Sequence, residues 1–246
     1  MVIFKKDFYF FKVRETWFRY NKEFQDIFKL RTYQFVQKSV FKKIPLLIKN
    51  ESHTIEINLK KNTDVLFNSF STNTRNYIRK GEKMNIQCDF KNDIKEFIEI
   101  SESFSKKKEI YSIKRKTIEE IGENFITSFA TYNNEIIVAH SYIIDKDLGI
   151  TRLFQSVSKR LENNHNNQTI SIANKLLTSH DIFYFKSKGF FTYDFGGYAL
   201  NTDNKSLIGI NSFKLLFGGE IKTCQSYFTI PYFLLLKVSQ FLDRRY

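Results

Sequence analysis

"NQTISIANKLLTSHDIFYFKSKGFFTYDFGG", Asn167–Gly197, reads as a helix that turns directly into a strand. Ile170, Ala173, Leu176, Leu177 and Ile182 recur along one side of a segment long enough for roughly four or five turns. Gly189 stops that helix. The aromatic run "FFTYDFGG" then forms a short strand whose carboxyl end carries Gly196 and Gly197. In α/β folds ligands collect beyond the carboxyl ends of strands, so the glycine pair marks a candidate site edge. The same pair can also form only a tight turn.

Downstream, "DNKSLIGINSFKLLFGG" predicts a short helix, "EIKTCQSYFTI" a final strand, and "PYFLLLKVSQFLDRRY" a C-terminal amphipathic helix from Pro231. Phe233, Leu234, Val238, Phe241 and Leu242 form the apolar side of that last helix. Upstream, "LGITRLFQSVS" and "NEIIVAHSYIID" form a hairpin around "DKDLG". Before it, "TIEEIGENFITSFA" and "NDIKEFIEISESFSKK" read as helices and "IQCDF" as a strand. "NTDVLFNSFSTNTRNYIRKGEKMNI" reads as one helix opened by Asn62 or Thr63 and ended near Gly81. "HTIEINL" alternates Ile55, Ile57 and Leu59 inward, as a half-buried strand does. Residues 1–53 are a basic, aromatic stretch with weak strands around Phe8–Lys12 and Pro45–Lys49. The order predicts an α/β (α+β) mixed sheet: an N-terminal extension or partial domain over 1–53, one main domain over 54–230, and the helix 231–246.

Composition bounds the function. With 42% hydrophobic and 17% aromatic residues the chain is far from a disordered one. A net charge of +13 favours polyanionic partners such as RNA, phosphorylated carriers or an anionic membrane surface, although a general compositional bias spreads such charge as well. Cys88 and Cys224 have neither zinc spacing nor a disulfide pattern, which fits a reducing cytoplasm. His53, His140, His165 and His180 show no metal-ligand spacing and read as ordinary residues, so no metal is expected. The aromatic, charged N-terminus lacks a signal peptide's apolar segment, and "YFLLLKV" is too short to span a bilayer.

Two clusters carry candidate chemistry. In "INSFKLLFGG" a helix presents Lys214 beside Phe213, with Phe217 one turn on. A lysine desolvated by rings is easier to deprotonate, and while charged it can stabilise an oxyanion; many such lysines simply reach for water. In "TRNYIRK", Arg75 and Arg79 share a helix face, a compact cationic edge. Asp194, beside the glycine pair, could orient or deprotonate an amine, or cap the turn.

"STNTRNYIRKGEKMNI", "RLFQSVS", "YFKSKGFFTYDFGG" and "INSFKLLFGGEI" together resemble, in order and spacing, the Fem-like branch of the GNAT acyltransferases over about Thr54 to Ile230. That branch includes peptidyltransferases that add amino acids to the peptidoglycan precursor in cell-wall biogenesis. The resemblance implies a GNAT mixed sheet with a transfer site at Lys214, Phe213 beside it, and binding of the phosphorylated precursor at Arg75 and Arg79. Asp194 is the further catalytic candidate, and Gly196, Gly197, Asn211, Gly218 and Gly219 are the further substrate-binding candidates. The implied enzyme moves an activated acyl or aminoacyl group onto an amine of a phosphorylated or lipid-linked acceptor, in the cytoplasm and with a peripheral membrane contact as an option. Its donor is aminoacyl-tRNA or acyl-CoA, with no tightly bound cofactor. The first is favoured because "KRLENNHNNQ" lacks the glycines of a CoA pyrophosphate loop and +13 suits tRNA. About fifty residues before His53 are too few for the second GNAT domain that Fem enzymes typically have. The alternatives are a non-catalytic RNA-binding protein, an acyl-CoA-dependent N-acetyltransferase of a small molecule, and an inactive GNAT scaffold.

Overall fold

The computed structural model describes residues 1–8, 10–20, 27–36, 46–91, 93–108, 113–161 and 166–243. The fold is mixed α/β, and the chain divides into two compact units: Met1–His53 with Lys222–Tyr246, and Thr54–Ile221.

In the larger unit the strand order is β4-β9-β8-β7-β6-β5. These are β4 (Leu47–Asn58), β5 (Gln87–Phe90), β6 (Phe125–Tyr132), β7 (Glu135–Asp145), β8 (Ile150–Ser158) and β9 (Thr192–Tyr198). From β5 to β8 neighbours run antiparallel, whereas β8 and β9 run parallel, joined through helix α5 (Asn167–Ser187). The opening stretch therefore forms the helix and second strand of a β-α-β unit. Asn166 caps α5, its side chain accepting from the Gln168 amide at 2.7 Å. At the other end Phe190 N donates to Phe185 O and Gly189 N to Lys186 O, both at 3.0 Å, the paired bonds of a Schellman motif.

Three expectations change in this unit. The single helix expected after β4 is two, α1 (Thr63–Ser69) and α2 (Thr72–Lys83), because Ser71 leaves the helical conformation and caps the second, accepting from Thr74 N at 3.2 Å. Gly81 does not end α2; it is buried inside it, where an added Cβ would lie 3.0 Å from Leu176 and 3.1 Å from Ile172 of α5. "TIEEIGENFITSFA" is α4 (Arg115–Ile121) followed by β6, since Gly122 turns the chain and Phe125, Phe129 and Ala130 bury as a strand. The "IKEFIEISESF" helix stands as α3 (Ile94–Lys108).

The core of this unit joins Ile55, Ile57, Leu66, Phe70 and Ile78 to Leu177, Phe185, Phe195 and Phe217. Helix α6 (Lys205–Leu215) hangs on it by its end. Phe217, fully buried, packs at 5.2 Å from Phe70 and 5.6 Å from Phe195. By contrast, Leu207, Ile208 and Ile210 in the body of α6 are exposed. Gly218 then turns with φ 72° directly against α1, where a Cβ would come 2.6 Å from the Ser69 carbonyl oxygen.

In the smaller unit the order is β1-β2-β3-β10, with β1 (Val2–Phe8), β2 (Phe11–Trp17), β3 (Arg31–Val36) and β10 (Glu220–Thr229). The strand expected at Phe8–Lys12 is instead the junction of the β1–β2 hairpin, whose Val2, Phe4, Val13 and Trp17 are the buried positions. Pro45 lies outside the described residues, and β4 starts at Leu47. Helix α7 (Ile230–Asp243) forms with a different face inward from the one expected. Tyr232 and Ser239 are buried, while Leu234 and Val238 are 58% and 56% exposed. The side chains of Phe241 and Leu242 and the basic residues 244–245 are outside the described residues. Among the described residues no helix is long and apolar enough to cross a membrane.

The glycine contacts give a stability test. Gly218→Ala forces a left-handed backbone and a backbone clash together, so a loss of about 2–4 kcal/mol is expected by denaturant unfolding. Gly197→Ala, where nothing lies within 4 Å of the added Cβ, is expected to change stability by less than about 0.5 kcal/mol.

Candidate active site

Strands β8 and β9 are paired over three rungs only, Ile150↔Thr192, Thr151↔Tyr193 and Arg152↔Asp194. Beyond the third they part, β8 running on to Ser158 and β9 to Tyr198. On its other edge β8 pairs with β7, and the register slips between Ser141↔Gln155 and Tyr142↔Leu153, leaving Phe154 as an extra residue. Such a bulge bends its strand, here just where β8 leaves β9. The ladder thus ends toward the carboxyl ends of two parallel strands, the position at which α/β sheets admit ligands.

The last rung is an ion pair. Arg152 Nη1 contacts the Asp194 carboxylate, and both side chains are about 5% exposed. Asp194 also accepts from the Gly196 amide at 2.7 Å and from Thr54 Oγ1, which lies 2.8 Å from the Gly196 carbonyl and 3.3 Å from Arg152 Nη1. The carboxylate nominated as a catalytic helper is therefore occupied in closing the strand and capping the glycine turn. Gly196 is buried at φ 77°, and a Cβ there would lie 3.2 Å from the Leu153 carbonyl. Gly197 beside it is exposed.

Lys214 reaches this turn from α6. It is half-buried, and its Nζ donates to the Gly197 carbonyl at 2.5 Å. Burial and the positive charge of Arg152 lower its pKa from 10.5 to about 8, with Asp194 pulling the other way. Its position is fixed from both sides. Asn211, 8% exposed, pairs with the Ala199 backbone like a strand neighbour, accepting from its amide at 3.1 Å and donating to its carbonyl at 2.8 Å. Phe213 and Phe217 anchor the inner side of the helix, 5.4 Å apart. Lys214, Phe213, Asp194, Gly196, Gly197 and Asn211 are thus brought together.

The remaining nominated residues sit elsewhere in the unit. Gly218 and Gly219 pack the end of α6 onto α1 and β4, an added Cβ at Gly219 meeting Ile55 at 2.5 Å. Arg75 is spent on backbone: its Nη1 donates to the carbonyls of Asn68 at 2.9 Å and Phe70 at 2.5 Å, holding the end of α1. Arg79 is exposed, 3.4 Å from Asn76 Oδ1 and 5.8 Å from the Phe67 ring. A cleft of about 260 Å³ lies at the β6–β7 turn and the start of α5, lined by Tyr132, Asn133, Glu135, Ile137, Asn166, Thr169 and Ile170, with no nominated residue among them. Positions 162–165 of "KRLENNHNNQ" lie outside the described residues.

Sequence reasoning missed Arg152, Thr54 and Lys175. An arginine inside the β-branched run "ITRLF" was the available signal for the first, since a charge there needs a buried partner. His140 is part of a buried network rather than an isolated core residue. Its Nδ1 is 2.7 Å from Asp181, its Nε2 3.0 Å from Asn174 Oδ1, and Tyr142 donates to Asp181 at 2.5 Å while meeting Tyr193 OH at 2.9 Å. Burial drives the Asp181 carboxyl up, but the hydrogen bonds from His140 and Tyr142, the nearby His180 ring at 3.8 Å and the charge of His140 hold it below its ordinary value. Among the described residues no three His, Cys, Asp or Glu side chains converge as a metal site.

No protein-family model matches the chain, and no curated protein matches its sequence. Solved structures do. FemX is 12% identical, with a TM-score of 0.68 over 96% of this chain and 85% of that one. The C-terminal domain (DUF2156) of a protein described as a lysylphosphatidylglycerol synthetase from Agrobacterium fabrum is 7% identical, with a TM-score of 0.57 over 81% of this chain and 67% of that one. L-PGS from Bacillus licheniformis is 12% identical, with a TM-score of 0.55 over 84% and 71%. The chain shares its mixed α/β fold with FemX and with these two structures.

Proposed function

We propose that the unit Thr54–Ile221 catalyses acyl transfer, and specifically transfer of an aminoacyl group to an amine of a phosphorylated or lipid-linked cell-envelope precursor. The observation that carries the reading is the half-buried Lys214 ammonium, held at the carboxyl end of β9 where β8 and β9 part. The fold shared with FemX and with two structures named for lysylphosphatidylglycerol synthesis supports it. Aminoacyl-tRNA is the favoured donor, in keeping with the +13 charge, and acyl-CoA the alternative. The exposed stripe Ile230, Leu234 and Val238 on α7 supports a membrane-surface, lipid-linked acceptor.

In this mechanism the acceptor amine attacks the carbonyl carbon of the donor ester, its lone pair forming the new C–N bond as the carbonyl electrons move to oxygen. The Lys214 ammonium faces the resulting oxyanion and stabilises it where water is partly excluded. Collapse of the tetrahedral intermediate breaks the C–O bond and expels the donor oxygen as an alkoxide, which takes up the proton released by the amine and leaves as the hydroxyl. Asn211 and the Asp194–Gly196 cap act as positioning groups, fixing α6 and the β9 turn so that the ammonium need not be reoriented during reaction.

Lys214→Met is expected to lower the transfer rate by about 10²–10³-fold with an unchanged unfolding midpoint, because the lysine anchors nothing in the core. Asp194→Ala, in contrast, strands the buried Arg152 and is expected to cost about 3–5 kcal/mol of stability. Steady-state transfer assays and denaturant titrations separate the two; a Lys214→Met protein with parental turnover removes the lysine from the mechanism.

The lowered pKa sets a pH dependence. Lys214 is charged below about pH 8 and loses its proton as pH rises through that value, so an oxyanion-stabilising role predicts a turnover limb that falls above about pH 8. Lys214→Arg keeps the charge and is expected to remove that limb even if its rate is lower. A parental rate that instead rises through pH 8 and then levels off assigns Lys214 as a base.

A further inference from the structure

A second lysine is buried in the same unit. Lys175, in the middle of α5, is 8% exposed. Its ammonium has three N–H donors, of which Ser171 Oγ receives one at 2.9 Å. It lies 4.5 Å from the centre of the Tyr77 ring on α2 and 5.9 Å from that of Phe213, the neighbour of Lys214 on α6. Among the described residues it has no acidic partner. Burial, and then Arg160, lower the Lys175 pKa.

Lysines with long stems normally carry the ammonium to water, and a buried charge is normally paired. Ring faces attract a cation but supply no hydrogen-bond acceptor, so two N–H groups stay unmatched within the fold. A cation buried without a counter-charge either gives up its proton or is completed by an anion brought from outside. One ring neighbour ties it to the candidate active site: Phe213 precedes Lys214 on α6.

We propose that Lys175, with Ser171 and Tyr77, forms the binding point for a phosphate or diphosphate group of the substrate. The ammonium donates to the oxyanion, and the Tyr77 and Phe213 rings keep water from screening it. The assignment rests on the acyl-transfer reading for the identity of the molecule that carries the phosphate, and on the geometry alone for the binding of the anion. It moves the phosphate site from the α2 arginines, where Arg75 is committed to backbone, to α5.

The test uses the full chain and inorganic pyrophosphate as probe, titrated by calorimetry at low salt. The parent is expected to bind, Lys175→Met to bind about tenfold or more weakly with an unchanged circular dichroism spectrum, and Lys95→Met, which removes the same charge from exposed surface, to bind as the parent does. Equal binding by Lys175→Met and the parent, equal losses in both variants, or no binding by the parent overturns the proposal. A second measurement avoids substitution altogether: in the parent, pyrophosphate is expected to protect Lys175 from an amine-acylating reagent, read by mass spectrometry of the peptides. Acylation of Lys175 unaffected by pyrophosphate overturns it. Protection in a protein that transfers no acyl group leaves the anion pocket standing and removes the acyl-transfer reading.

Discussion

The Arg152–Asp194 pair sits on the last rung that β8 and β9 share, and the architecture of the site depends on it. A parallel pair of strands that separates must leave backbone groups without ladder partners. Here the Asp194 carboxylate takes the Gly196 amide and the Thr54 hydroxyl, so the free amide of the turn is satisfied without the neighbouring strand. The same carboxylate balances a guanidinium that burial would otherwise make costly. Strand separation, glycine turn and charge balance are thus one arrangement.

Everything nearer the proposed chemistry is built outward from that turn. Gly197 offers its carbonyl to Lys214 because Gly196 has already turned the chain, and α6 can hold Lys214 there because Asn211 grips the Ala199 backbone and Phe217 sits in the core. The body of α6 contributes little burial of its own. Burial first, and then Arg152 through space, lower the proton affinity of Lys214, while Asp194 opposes them. The two halves of a structural ion pair thereby act in opposite directions on a lysine that the pair does not touch.

Much of this was readable from residue order, and the failures have physical causes. Helix α5 and its Gly189 stop were legible because a long amphipathic period and a C-terminal glycine agree. The α1–α2 break was not, since the apolar spacing of Leu66, Phe70 and Ile78 passes smoothly across it and only the capping chemistry of Ser71 marks it. Strand β6 hid inside a helix-like window although "ITSFATY" is β-branched and aromatic. The clustering of glycines signalled close approach, but could not say that Gly218 and Gly219 meet α1 and β4 while Gly197 stands open. For the candidate site, sequence proposed Lys214 and Asp194 together; the partners that determine what each does, Arg152 and Thr54, come from strands distant in the chain. Lys175 carried no local signal, because its burial is made by α2 and α6.

The most direct test of the account is a crystal structure with a stable amide analogue of an aminoacylated tRNA 3′ end. The account predicts that the acyl carbonyl oxygen lies within hydrogen-bonding distance of Lys214 Nζ, between the separated ends of β8 and β9. An analogue bound instead in the cleft beside Tyr132 and Thr169, with Lys214 still turned to the Gly197 carbonyl, would contradict it.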